Sequence, residues 1–355
     1  MIAPMSLRTL AMATLVVATP FISACESAVT AEGGRSPIRQ ERIPFGELPS
    51  VTTRQGGFIW VLDRWGNKLG KIDPTTNEVV AEWDLNETFR GDAWDLDAAA
   101  GSLWVTVPSK RRFFELDPSS GEVLSTIRTK GHSSDIYVAG GSLWFSDDGR
   151  TGVDLVQASA ASGKVIRKYR LGKTNSHVVD VVAFDGSIWV TRSCARYVGG
   201  TSPNATFFMT AHLWRIDARS DRVVSRLPLG STYTRGPVNP VIGDVETGPQ
   251  GLWTSRNHER RVVLTKPMSG QLAKVFSISD FELPWEFEYV NGHLWVGDLN
   301  RPRVKWLNPE TREEQIVEVG ADTSFIGRGF GSVWLPVGGG APGTGEVVRL
   351  TYETE

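Results

Sequence analysis

Apolar residues along this chain fall into runs of strand length, cut at short intervals by Gly, Pro, Asn and Asp. The runs repeat. A Gly–x–apolar–Trp unit appears as Gly57-Phe58-Ile59-Trp60, Gly101-Ser102-Leu103-Trp104, Gly141-Ser142-Leu143-Trp144 and Gly186-Ser187-Ile188-Trp189. It continues as the shortened Gly251-Leu252-Trp253, then as Gly292-His293-Leu294-Trp295 and Gly331-Ser332-Val333-Trp334. The steps from Trp to Trp are 44, 40, 45, 64, 42 and 39 residues. All but one sit close to the period of about 40–45 residues expected of a four-stranded propeller blade. The pattern predicts an all-β, seven-bladed β-propeller of four-stranded blades.

Within each period the signals keep one order. An apolar stretch such as Asp135-Ile136-Tyr137-Val138-Ala139 leads into the Gly turn and the Trp strand. A third strand ends in a turn such as Ile72-Asp73-Pro74-Thr75-Thr76-Asn77 or Leu116-Asp117-Pro118-Ser119-Ser120-Gly121. Pro presets φ there, and the closing Asn or Gly accepts a left-handed conformation, so these are hairpin loops. A fourth strand, for example Val165 to Leu171, completes the unit. We label the strands A to D from the central channel outward. The motif Trp lies on strand B, where its ring fills the wedge between blades and contributes roughly 1.5–3 kcal/mol or more by burial.

After Trp334 only a third strand remains, Glu346 to Tyr352. Ile38 to Phe45, at the other end of the chain, has the length and alternation of a strand. It is expected to supply the missing outer strand of the last blade, which removes an open edge.

Composition adds little to the fold and more to the setting. Thirteen Trp and 37 Gly suit many short strands with tight turns. With 38 Lys and Arg against 40 Asp and Glu, there is no electrostatic footprint for nucleic acid or for charge-driven adhesion to anionic lipid. Residues 1–24 read as a signal peptide: Arg8 gives a thin positive n-region, and Thr9 to Ile22 is mostly apolar but short of the about 20 residues that a spanning helix needs. Ile22-Ser23-Ala24-Cys25 resembles a bacterial lipobox, which implies lipidation at Cys25. Residues 25–37 then form the lipidated cysteine and a flexible tether, and 38–355 the propeller. Cys194 is the only other cysteine, so no disulfide framework is possible once Cys25 carries lipid.

Gly-Ser-Leu-Trp-Val followed by a Leu/Ile-Asp-Pro-x-Ser/Thr-Gly turn resembles the repeats of streptogramin B lyase-like and YVTN/NHL-type propellers, from residue 38 to residue 352. The resemblance implies the fold. It leaves the activity open, because such repeats serve lyases, lactonases, sensors and binding modules.

Nine positions before the motif Trp, five of the seven copies carry an acid: Asp95, Asp135, Asp180, Asp244 and Glu286. The other two copies carry Val51 and Phe325. This is the entry of strand A, so the five carboxylates are expected to ring the channel mouth and bind ligand. Two such charges about 7 Å apart repel by about 0.6 kcal/mol in water and about 2.4 kcal/mol at an effective dielectric of about 20. They therefore need a counterion. One source is the arginines of the B–C loops, namely Arg64, Arg111, Arg112, Arg150, Arg192, Arg256, Arg260, Arg301 and Arg303, with backbone hydrogen bonds making the ring a clasp. Another is Ca²⁺ or Mg²⁺ on Asp135, Asp180 and Asp244, with Asn175, Asn239 or Asn257 adding carbonyls. A third is a cationic or polyhydroxylated ligand.

The long step from Trp189 to Trp253 holds two insertions, Ser193 to Ala211 in a B–C loop and Gly230 to Ile242 in the next D–A loop. Tyr197 and Tyr233 are their candidate ligand contacts, and the pair is expected to form a lid or a partner-binding ridge. His132 and His177 each precede a ring acid by three residues and are the candidate catalytic bases; His258 lies in a B–C loop. Two functions stay open: a lipid-anchored, extracytoplasmic propeller that binds a small molecule or protein on its loop-rich face, and a metal-dependent lyase or lactonase.

Overall fold

A computed structural model describes residues 37–85, 89, 92–131, 133–149, 152–172, 176–201, 204–235, 244–281, 284–298, 301–320, 325–338 and 343–353. The signal peptide and Cys25 lie outside these residues. The described chain forms 28 strands, numbered in chain order, in seven four-stranded antiparallel sheets, and contains no α-helix. Two short 3₁₀ turns, Pro108–Lys110 and Asn257–Glu259, occupy B–C loops. Strand A of every blade touches strand A of the next, and the last touches the first, so the ring of seven is closed.

Closure occurs as the sequence predicts. Strand β1 (Ile38–Pro44) pairs antiparallel with β28 (Glu346–Tyr352), the third strand of blade 7, with Ile38 opposite Tyr352 and Pro44 opposite Glu346. Alternation then buries Ile43 while Arg42 faces outward to Glu346. Phe45 continues the strand into the core, against Gly70, where a Cβ would stand 2.4 Å from its ring. Glycine is needed there for space.

Each motif Trp is buried against the following blade. Trp60 clusters with Leu103 and Val105 of blade 2, Trp104 with Leu143 and Val156 of blade 3, and Trp334 with Ile59 and Val61 of blade 1. Seven apolar clusters therefore sit at seven blade junctions. A single blade has two apolar faces and cannot bury either alone, which is why the repeat must form a ring. Four of the indole N–H groups, from Trp60, Trp144, Trp189 and Trp334, donate to the carbonyl five residues earlier, in their own A–B turn.

Blade 4 departs from expectation. Most of its described inserted residues are in strands, not loops: β15 runs Ser187–Gly199, β16 Thr206–Asp217 and β17 Arg222–Arg235. They pair continuously, Tyr197 opposite Phe207 and Phe208 opposite Tyr233. The reason lies in alternation: Ala195, Met209 and Ala211 keep one face apolar past the usual end of the blade, and the ladder extends with it. The insertion is thus a three-stranded ridge. Residues 202–203 and 236–243, including Pro203, Gly236, Pro237 and Pro240, lie outside the described residues.

Candidate functional site

The strand A residues enclose an axial cavity of about 1010 Å³. All five ring acids, Asp95, Asp135, Asp180, Asp244 and Glu286, line it. Strand alternation brings a second tier with them, because residues two apart point the same way. Asp97, Glu246 and Glu288 follow Asp95, Asp244 and Glu286 at that spacing, and Tyr137 follows Asp135. The second tier was legible in the sequence as an acid–apolar–acid pattern, Asp95-Leu96-Asp97, Asp244-Val245-Glu246 and Glu286-Phe287-Glu288, at the same offset from the motif Trp.

The upper tier is a set of blade-to-blade clasps. Asp95 accepts from the backbone N–H of Ile136 at 2.9 Å, Asp180 from Val245 at 3.0 Å, Asp244 from Phe287 at 3.2 Å and Glu286 from Ile326 at 2.8 Å. Each of these acceptors reaches backbone in or just before strand A of the next blade. Asp95 and Asp180 also accept from their own following residues, Leu96 and Val181. Asp135 accepts from the Ser134 hydroxyl at 2.6 Å. The collar therefore serves the fold as well as lining the cavity.

Countercharge comes from a residue that the sequence pattern does not single out. Arg328, on strand A of blade 7, pairs with Glu246 of blade 5 and, at 3.1 Å, with Glu288 of blade 6. Among the described residues Arg54 of blade 1 is the other cation in the lining, and no B–C arginine lines the cavity. Arg64 stacks 4.0 Å from the Trp94 ring centre, Arg111 reaches the Lys130 carbonyl, Arg256 pairs with Glu259, and Arg303 pairs with Asp298. A loop side chain at the rim meets nearer partners first; Arg328 lies inside the channel and meets only the acids.

Eight carboxylates against two guanidiniums leave an acidic excess that burial must penalise. Burial, with neighbouring carboxylates adding to it, pushes Asp95, Asp244, Glu286 and Glu288 well above the ordinary range. Asp180 is raised to about 7 by burial and by Glu246, and Asp97 to about 6 by burial. The two carboxylates on Arg328 hold that guanidinium firmly charged, against the effect of its burial. Trp94, Phe325 and Phe330 add aromatic surface along the channel.

The remaining candidates fall elsewhere. Tyr197 and Tyr233 do not line the cavity; they stand exposed on the ridge, Tyr197 edge-on to Phe207 and Tyr233 tilted against Phe208. Asn257 is buried in its 3₁₀ turn and is also outside the lining. His258 sits 3.7 Å from Glu259. The His177 backbone pairs with Ser193, while its side chain, His132, Arg150, Asn175 and Asn239 lie outside the described residues. Cys194 is a free thiol. Among the described residues no group of three or more His, Cys, Asp or Glu side chains is arranged to hold a metal ion, the trio Asp135, Asp180 and Asp244 included.

No family model matches the chain, and no curated protein does. Solved structures do. A streptogramin B lyase superposes with TM-score 0.64 at 15% identity, over 88% of this chain and 97% of that one. A virginiamycin B lyase from Staphylococcus aureus gives 0.61 at 14% identity, over 88% and 99%. The Cps50 (Swd1) β-propeller domain of Myceliophteria thermophila also gives 0.61, at 12% identity, over 88% and 98%. These identities carry the fold and no activity. In architecture, then, this chain is a seven-bladed β-propeller, similar in fold to these structures.

Proposed function

We propose that the protein is a lipid-anchored, extracytoplasmic binding propeller whose axial cavity takes a small cationic ligand, an amine on a compact organic frame. The observation that carries the reading is the cavity's charge: among the described residues, eight acids and two arginines around about 1010 Å³. That volume suits a small molecule. An amine entering it replaces protons as the countercharge of the raised carboxylates and meets the aromatic faces of Trp94 and Phe325. The anchoring rests on the leader and lipobox pattern that ends in Cys25.

The test is a thermal-shift titration with spermidine and putrescine at constant ionic strength, repeated on Asp135→Asn/Asp180→Asn. A ligand at about 100 times its Kd stabilises by about 2.7 kcal/mol. A dose-dependent rise in Tm that the double variant loses supports the reading. Absence of any rise with either amine removes it. Turnover of a streptogramin B or a lactone that depends on Ca²⁺ or Mg²⁺ would favour the lyase alternative instead. For the anchor, Cys25→Ser is expected to release the protein from the membrane fraction.

A further inference from the structure

The ridge of blade 4 has a face turned toward blade 3, shown by Trp214 and Val190 packing with Tyr169 and Leu171. Cross-strand register puts Arg192 opposite His212, Arg226 opposite Trp214 and Arg196 opposite Phe208. Alternation places all six on this one face. The Arg192 and Arg226 guanidinium carbons stand 5.4 and 4.4 Å from the Trp214 ring centre, and that of Arg196 stands 5.5 Å from Phe208. None of these cations lines the axial cavity.

Arg192 and Arg226 flank His212 and Trp214 from the two outer strands, and no acid stands beside them within these strands. No Asp or Glu occurs from Gly186 to Ile216 or from Arg222 to Gly243. Among the described residues Arg196 and Arg226 form no ion pair. The contrast within the repeat is direct. Three residues after the motif Trp, blades 1, 3 and 6 carry Asp63, Asp147 and Asp298, all buried and bonded to backbone or to a cation. Blade 4 carries Arg192 at that position. Two buried polar atoms on the same face, His212 Nδ1 and Trp214 Nε1, have no hydrogen-bond partner, and Trp214 is only 5% exposed. Buried polar atoms without partners are rare enough in folded proteins to call for a ligand or ion. Burial, with Arg192 and Arg226 adding to it, holds the His212 imidazole below its ordinary range.

We propose that this face binds a phosphate-type oxyanion, held between Arg226, Arg192 and His212 over the Trp214 ring, with Arg196 at its outer edge. The donors come from three adjacent strands and outnumber what the two oxygens of a carboxylate accept, whereas a tetrahedral oxyanion offers an acceptor to each.

The probe is inorganic phosphate at pH 7, followed by tryptophan fluorescence and by the His212 ring resonances, with sulfate and acetate compared at equal ionic strength. Saturable binding of phosphate and sulfate, weaker binding of acetate, and a rise in the His212 pKa at saturation are expected. Arg226→Gln should raise the phosphate Kd ten-fold or more. Arg219→Gln, in the exposed turn at the opposite end of the blade, should leave it unchanged. Should Arg226→Gln fail to fold, Arg196→Gln serves, with a smaller rise of about three-fold or more. Phosphate acting no better than acetate, or an arginine variant that folds and binds phosphate as the wild type does, overturns the proposal.

Discussion

The acidic cavity makes stability fall as pH rises through neutrality, and the size of the effect follows from the structure. Asp180 titrates at about 7 in the folded chain and at about 3.9 in the unfolded one. Between these values the native state holds a proton that the unfolded state has lost, so stability is highest at the acidic side and declines as pH rises through the folded pKa. From pH 6.5 to pH 8 Asp180 alone removes about 0.8 kcal/mol. Asp95, Asp244, Glu286 and Glu288, which burial raises in the same direction, add to the fall with the same sign. His212 and His293 have lowered values, so their contribution has the opposite sign and is lost as pH falls through the unfolded value of about 6.5. At pH 6.5 an unfolded imidazole is half protonated, so each offsets up to about 0.4 kcal/mol of the fall from pH 6.5 to pH 8. At an unfolding entropy of about 2.1 cal/mol/K per residue, each kcal/mol of net loss lowers the Tm of a propeller of about 300 residues by roughly 1.6 °C, so the protein should melt higher at pH 6.5 than at pH 8. Differential scanning calorimetry at fixed ionic strength measures this, and Asp180→Asn/Asp244→Asn should flatten it. A Tm that is level or rises from pH 6.5 to pH 8 would refute the reasoning, as would a slope unchanged in the double variant.

Further predictions concern the parts separately. Arg328→Met leaves Glu246 and Glu288 facing each other without their cation; it should cost about 2–4 kcal/mol at pH 8 and much less at pH 5, read by urea denaturation at both. Asp63, fully buried, accepts from the backbone N–H groups of Glu47, Leu48, Trp65 and Gly66. Asp63→Ala should therefore destabilise by about 3–5 kcal/mol, and a loss below about 1 kcal/mol would show that the loop finds other acceptors. Deleting residues 37–45 exposes the edge of β28 and the pocket of Phe45; aggregation on size-exclusion chromatography is the expected result, and a stable monomer would contradict the clasp. Cation binding to the cavity should release protons near pH 7 and weaken at lower pH, as isothermal titration in two buffers of different ionisation enthalpy would show.

Much of this was open to the sequence because a repeat multiplies evidence. One Trp in a strand says little; seven at blade spacing, each after a Gly turn, fix the number of sheets and the inward direction of strand A. From that register Asp95, Asp135, Asp180, Asp244 and Glu286 could be placed at the channel mouth. The same offset logic, carried two residues further, leads to Asp97, Glu246 and Glu288. The strand at Ile38–Pro44 was legible because blade 7 lacked an outer strand and the chain start had the alternation to fill it.

What the chain order could not settle was which groups meet across the axis or across a blade junction. Arg328 breaks the repeat pattern, so only a closed ring shows that it spans from blade 7 to blade 5. The ridge read as loops because Gly, Pro and Asn interrupt it, yet pairing with two neighbouring strands overrides that local preference. Periodicity is a property of neighbours along the chain and specifies faces and spacing; charge pairing and burial depend on distances through space, which the packing of seven sheets alone sets.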